Sequence, residues 1–296
     1  MDEKTLEKYR KAGKIAAQAL DYAKSLVKPG VSLLEVCEKA EAKIKELGAE
    51  PAFPVQISLN DVAAHFCPEE DDNTILKDQL LSIDVGVHVD GFIGDTAATI
   101  DLSNQNENLV KASREALDNA IKIIKPGITL GEIGKTIQSA ITKYGFSPVR
   151  NLSGHGLDEY NIHTRPTVPN YDNGDQTQLE EGDIIAIEPF ASKGAGVIYE
   201  SSNPTVFQLP FKKPVRNMIT RQVLKEIDKF NGLPFCRRWL VKKFGLAKTN
   251  FALRELRTLE ILKEYPPLLD QAHGLVSQAE QTILVTKSGC EILTKI

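Results

Sequence analysis

Asp84 and Asp95 lie in one apolar run, Leu80 to Ile100, that otherwise reads as a β-hairpin with its turn near His88 to Gly91. A turn centred on Val89-Asp90 sets the two aspartates directly opposite each other; one centred on Asp90-Gly91 makes them diagonal neighbours. Either register leaves them on one face. Facing like charges destabilise a strand pair, and a carboxylate taken out of water costs several kcal/mol unless something cationic compensates. The run holds no Lys or Arg, so a bound metal ion is the expected compensation. Glu188, ending the run Asp183 to Glu188, and Glu280, inside Gly274 to Val285, repeat the oddity of an acid in strand-like, buried-looking sequence. One site with two divalent cations would neutralise all four. His155, in the Gly-flanked turn Leu152 to Leu157, supplies a nitrogen ligand.

The elements that would position these groups are announced by a repeat. Lys14 to Pro51 matches Lys111 to Pro148 at a constant offset of 97, with thirteen identities in 38 aligned positions and no gap. Each copy reads as a helix, a Lys-Pro-Gly stop, and a second helix opened by a capping box, Ser32 with Glu35 or Thr129 with Glu132. Strand-like sequence follows in both. Two related helix-helix-strand halves, each covering an apolar sheet face, imply an α+β fold with internal pseudo-two-fold symmetry and a site between the halves. Between the strand runs near Glu188 and Glu280, roughly Lys213 to Tyr265 has helical apolar spacing (Phe251, Leu256, Leu259, Leu262) and reads as an inserted helical subdomain.

At 296 residues the chain can bury a substantial core, and 42% hydrophobic with 26% charged residues is ordinary for a soluble globular protein. No stretch approaches 18 consecutive apolar residues, and the start, Met1 to Lys8, is too charged for a secretory signal, so a cytoplasmic protein with no membrane partner is expected. Cys37, Cys67, Cys236 and Cys290 are scattered without a C-x-x-C pair, which points to reduced, mostly buried thiols. The net charge of −4 hides an asymmetry: Lys212 to Asn250 carries eleven Lys or Arg against Glu226 and Asp228, locally +9, leaving the remainder at about −13. Such a patch is either a footprint for nucleic acid or a solvated helical face.

The order Asp84, Asp95, His155, Glu188, Glu280, with the local sequences IDVGVHVDGFIGDTA, NLSGHGLDEYNIH and AIEPFA, resembles the methionine aminopeptidases of type 2, in an archaeal-like form. The likeness covers nearly the whole chain, including the insertion with LPFCRRWL at Leu233 to Leu240 and YPPL at Tyr265 to Leu268. It implies the pita-bread (creatinase/aminopeptidase) fold as a single catalytic domain, 1–296, with a helical insertion over about 210–266. It implies two divalent metal ions, Mn, Fe, Co or Zn, held by Asp84, Asp95, His155, Glu188 and Glu280; oxygen-rich ligation with one imidazole leaves the metal open. The same likeness gives His65 and His163 as non-ligand catalytic histidines and Glu188 as a proton shuttle. Phe53, Ile162 and Tyr265 would line an apolar pocket for a methionine side chain.

The implied activity is removal of the initiator methionine from peptides and nascent chains with a small second residue, by a monomer whose basic insertion, 212–250, touches the ribosome. Two rivals share the fold: an Xaa-Pro peptidase, against which the insertion argues, and a catalytically inactive ribosome- or RNA-binding relative, which would be expected to have lost ligands. The chain departs from the family at the last ligand, where Phe-Glu-His-Thr is replaced by Ala279-Glu280-Gln281-Thr282. Such neighbours of a ligand commonly change metal affinity by about 10- to 100-fold.

Overall fold

The computed structural model describes residues 1–201 and 203–296. The first half runs α1 (Glu3–Leu26), α2 (Leu33–Glu46), β1 (Glu50–Pro51), β2 (Gln56–Leu59), β3 (Val62–Ala64), β4 (Leu80–Val89), β5 (Phe92–Asp101). The second runs α3 (Glu107–Ile123), α4 (Leu130–Lys143), β6 (Ser147–Pro148), β7 (Ser153–Asp158), β8 (Asn161–Pro169), β9 (Ile184–Ile187), β10 (Phe190–Ser192). Adding the sequence offset of 97 to the bounds of α2 and β1 gives those of α4 and β6. The Lys-Pro-Gly stops match too: Gly30 and Gly127 have φ of 91° and 86°, a region glycine enters freely. Their N–H groups donate to Leu76 O and Leu179 O, both at 2.8 Å. The capping box forms on α4, where Thr129 and Glu132 exchange hydrogen bonds, but Ser32 makes no side-chain cap on α2. There Glu35 is drawn forward to Lys39, 2.6 Å away.

The remaining elements are β11 (Ile198–Glu200), β12 (Val206–Gln208), α5 (Met218–Ile227), β13 (Phe235–Cys236), α6 (Arg237–Phe244), α7 (Leu246–Thr258), β14 (Lys263–Tyr265), β15 (Leu268–Asp270), β16 (Val276–Thr286) and β17 (Gly289–Ile292). Helices α5 to α7 pack around Val223, Ile227, Leu240, Leu253 and Leu256, and a small sheet ordered β13-β12-β14 joins this unit to the rest. Those strands are two or three residues long, too short to show alternation in sequence.

The main sheet is antiparallel throughout, with the path β1-β4-β5-β16-β9-β7-β8. Ile83, Val85 and Val87 of β4 pack on α1 and α2; Ala279, Ile283 and Val285 of β16 pack on α3 and α4. Side chains alternate along a strand, so Asp84 and Glu280 must emerge on the face away from the helices. The β4–β5 turn is Asp90-Gly91, with φ of 51° and 91° and Val89 paired to Phe92, the left-handed pair of a type I′ hairpin. Of the two registers open from sequence, this gives the diagonal one: Asp84 pairs with Ala97 and Asp95 with Gly86.

Candidate metal centre and its cavity

On the helix-free face of the sheet, Asp84, Asp95, His155, Glu188 and Glu280 line one cavity of about 180 Å³, together with His65, His163, Phe53, Ile162 and Tyr265. Asp84 comes from β4, Asp95 from β5, Glu280 from β16, and Glu188 from the residue after β9, where Pro189 interrupts the strand. Thr282 Oγ1 accepts from Asp95 N at 2.8 Å and donates to Asp95 O at 2.8 Å, and Thr96 Oγ1 donates to Glu280 O at 2.9 Å. These bonds lock β5 to β16, and with them the spacing of Asp95 and Glu280.

His155 is in the middle of β7, not in a turn as its flanking glycines suggest. Gly154 and Gly156 serve close approach instead. A Cβ on Gly154 would lie 2.3 Å from Ala186 O, and one on Gly156 would lie 2.1 Å from Arg165 O. With β8 and β9 drawn in this closely, His155 Nδ1 lies 3.2 Å from Gly156 O, an acceptor, so Nδ1 carries the proton. Nε2 is left with its lone pair facing Glu188 Oε1 at 3.7 Å and Asp95 Oδ2 at 4.0 Å.

A lone pair and four carboxylates therefore face one another, and the cavity wall includes no Lys or Arg among the described residues. Desolvation lifts the Asp84 carboxyl to about 7, and desolvation with repulsion from the neighbouring carboxylates holds those of Asp95, Glu188 and Glu280 well above the ordinary range. Asp84 Oδ1 and Asp95 Oδ1 are buried without a hydrogen-bond partner. Ligand atoms of Asp95, His155 and Glu280 come within 4.8 Å of one another. Orphaned carboxylate oxygens and an imidazole lone pair on a common centre are the donor set of a divalent cation, and the residues fit one.

The aromatic side of the cavity is continuous with this cluster. The His155 and His163 rings meet edge-on with centroids 4.6 Å apart, and Tyr265 meets His65 edge-on at 5.4 Å. Burial lowers His65 to about 4 and His163 to about 2, the latter also through its imidazole neighbours, so both are neutral near pH 7. Phe53, between β1 and β2, lies against Gly86: a Cβ there would be 2.1 Å from its ring. Tyr265 closes β14, and its hydroxyl donates to Gln208 Oε1 at 2.5 Å.

The sequence model of metallopeptidase family M24 matches residues 7–243. The chain belongs to metallopeptidase family M24. It is 43% identical to a methionine aminopeptidase of Methanocaldococcus jannaschii over 297 aligned positions, covering 100% of both chains. A methionine aminopeptidase structure from Thermotoga maritima superposes with a TM-score of 0.74 at 26% identity, over 100% of this chain and 98% of that one. A structure described as a thermophilic Arx1 gives 0.86 at 17% identity over 99% and 91%, a likeness of fold alone. The M24 architecture is the pita-bread fold, two helix-backed halves of one sheet closed over a central site. No helix among the described residues is long and apolar enough to cross a membrane.

Within this M24 site, Ala279 and Gln281 do not reach the cavity. Ala279 packs in the helix-backed core, and Gln281 Nε2 lies 3.5 Å from Thr294 O. Their substitution bears on packing behind the sheet. Sequence reasoning passed over Gln278, Gln56 and Gly86. Gln278 is fully buried, with Nε2 3.5 Å from Glu280 Oε2. Gln278 and Gln56 show the signal that exposed the acids, a polar residue at an inward strand position, but carry no charge to make it conspicuous.

Proposed function

We propose that the chain is a methionyl aminopeptidase that uses two divalent ions to remove the N-terminal methionine from peptides and nascent proteins whose second residue is small. The observation that carries this reading is the His155 lone pair facing Asp95 and Glu188 beside an apolar pocket walled by Phe53, Ile162 and Tyr265, which are 5%, 5% and 7% exposed. Full-length similarity to methionine aminopeptidases supports the substrate.

Asp84, Asp95, His155, Glu188 and Glu280 would hold the ions. When bound, divalent ions supply Lewis-acid activation of water and polarise the scissile carbonyl. Glu188, at the edge of the cluster, takes a proton from the attacking water and passes it to the leaving amine. His163 and His65, neutral by burial, each offer an N–H, the first to the oxyanion as it develops and the second to the scissile amide. Phe53, Ile162 and Tyr265 enclose the methionine side chain and exclude water from it. The insertion is proposed to touch ribosomal RNA through the cations that its own fold leaves unpaired.

The test is methionine release from Met-Ala-Ser by stripped protein given Mn, Fe, Co or Zn in turn. Release is expected with at least one metal and none under chelation; undiminished release after exhaustive chelation would overturn the reading.

A further inference from the structure

Gln56 opens β2, is 6% exposed, and lines the cavity between Phe53 and the carboxylate cluster. Its cross-strand partner is Asp84. Directly paired residues share a face with Cβ atoms about 5 Å apart, so the amide stands beside that acid.

The orientation of the amide is fixed by its neighbour. His65 has φ of 67°, a left-handed conformation uncommon outside glycine, and its backbone N–H donates to Gln56 Oε1 at 2.9 Å. A backbone N–H can only donate, so the bonded atom must be the oxygen and the NH2 must be the other branch. That NH2 takes no hydrogen-bond partner among the described residues, and it does not satisfy Asp84, whose Oδ1 is also unpartnered. Gln56 lines the cavity and this NH2 is a free donor, so a group entering there gains by accepting from it. The donor is neutral and lies between the apolar pocket and the acids, where a peptide chain crosses from its first side chain to its first carbonyl groups. The matching acceptor is a backbone carbonyl oxygen.

We propose that Gln56 is a substrate-binding residue: its Nε2 donates to a backbone carbonyl of the bound peptide while its Oε1 holds the His65 backbone in place. This rests on the peptidase reading above, and it adds a residue with a double role to that site.

Gln56→Glu keeps an acceptor for His65 and removes the donor; Gln56→Met removes both; Gln56→Asn restores a shorter amide. With Met-Ala-Ser, Gln56→Glu is expected to lose roughly 10- to 100-fold in kcat/KM, mostly through KM. Metal content by elemental analysis should stay at the wild-type value, while Tm falls because the new carboxylate faces Asp84 across the strand pair. Gln56→Met should lose kcat as well, because His65 is released, and Gln56→Asn should recover part of the loss. Calorimetric Kd values for a ketomethylene analogue of Met-Ala-Ser, which keeps the carbonyl and cannot be cleaved, should weaken in parallel. If Gln56→Glu stays within twofold of wild type in KM and in analogue Kd, or loses its metal, the assignment is overturned. A wild-type protein that binds the analogue but releases no methionine would sink the peptidase reading, and the Kd difference between wild type and Gln56→Glu would still decide this one.

Discussion

Asp84 and Glu188 hold equivalent places in the two halves: each stands three residues before the strand residue that pairs with a repeat proline, Val87 with Pro51 and Ala191 with Pro148. The equivalence continues across the next strands, where Val87 pairs with Gly94 and Ala191 with Ser277. Counting on from Gly94 and Ser277 makes Asp95 the counterpart of Gln278, and Ala97 the counterpart of Glu280. Each half thus places two inward residues on its inner strand and fills only one with an acid, at opposite positions. Symmetry brings the carboxylates to the pseudo-axis, and this broken detail makes the two ends of the cluster chemically different.

Glu280 is 2% exposed and belongs to the group that converges with Asp95 and His155. Glu280→Ala is therefore expected to lower bound metal and abolish release of methionine from Met-Ala-Ser. His163→Ala removes only a neutral donor, so the metals should remain while kcat falls by about 10²- to 10³-fold. Elemental analysis beside steady-state kinetics separates the two, and loss of metal from His163→Ala would make that histidine a ligand.

Gly86 matters through what it lacks. Since a Cβ there would overlap the Phe53 ring, Gly86→Ala must tilt the ring into the pocket or push β4 outward. The expected result is a raised KM for methionyl peptides with metal content unchanged, and a stability loss of about 1–3 kcal/mol in urea melts. An unchanged KM would place Phe53 outside the substrate pocket.

The acids were legible because an ionisable residue in a β-branched run contradicts its own surroundings, and the repeat was legible because thirteen identities share one offset. What escaped depends on partners remote in sequence. The glycines beside His155 look like a turn until Ala186 and Arg165 press against them. Ser32 and Thr129 have the same local signal, yet only Thr129 forms its box, because Lys39 competes for Glu35. The apparent +9 of the insertion is the largest case, since its compensating acids lie as much as 197 residues away.

Asp270, fully buried at the end of β15, accepts from Ser192 Oγ at 2.8 Å and from the N–H groups of Ala195 at 3.0 Å, Gly196 at 3.1 Å and Ala272 at 2.8 Å. Desolvation alone would raise its pKa, but these donors together outweigh it and hold the carboxyl below its ordinary 3.8. A depressed folded-state pKa stabilises above the unfolded value and loses that contribution as pH falls through the folded one. Asp270→Asn should therefore cost roughly 3 kcal/mol at pH 7, with the gap to wild type narrowing below about pH 4. Urea melts from pH 7 to pH 2.5 measure it; a gap independent of pH would exclude the charge as its source.

Six of the eleven cations between Lys212 and Asn250 are engaged: Lys212 with Asp228, Lys229 and Lys243 with Glu226, Arg237 with Glu69 and Glu70, Arg238 with Glu41, and Lys242 with Glu38. Arg238 is 1% exposed and its pair with Glu41, joined by the Trp239 indole N–H at 2.9 Å, clamps α6 to α2. Arg237, Arg238 and Lys242 thus hold the insertion to the body of the protein, while Lys212, Lys229 and Lys243 are neutralised within it. Lys213, Arg216, Arg221, Lys225 and Lys248 form no ion pair among the described residues, and they are what phosphate could meet. Five contacts bound the log–log salt dependence of ribosome binding at a slope of about −4, shallower than eleven would give. Arg221→Glu with Lys225→Glu should weaken cosedimentation about tenfold, whereas Lys242→Glu, whose charge already faces Glu38, should leave it unchanged. Binding that ignores salt, or that Lys242→Glu weakens as much as the α5 pair, would remove the insertion's free cations from the contact.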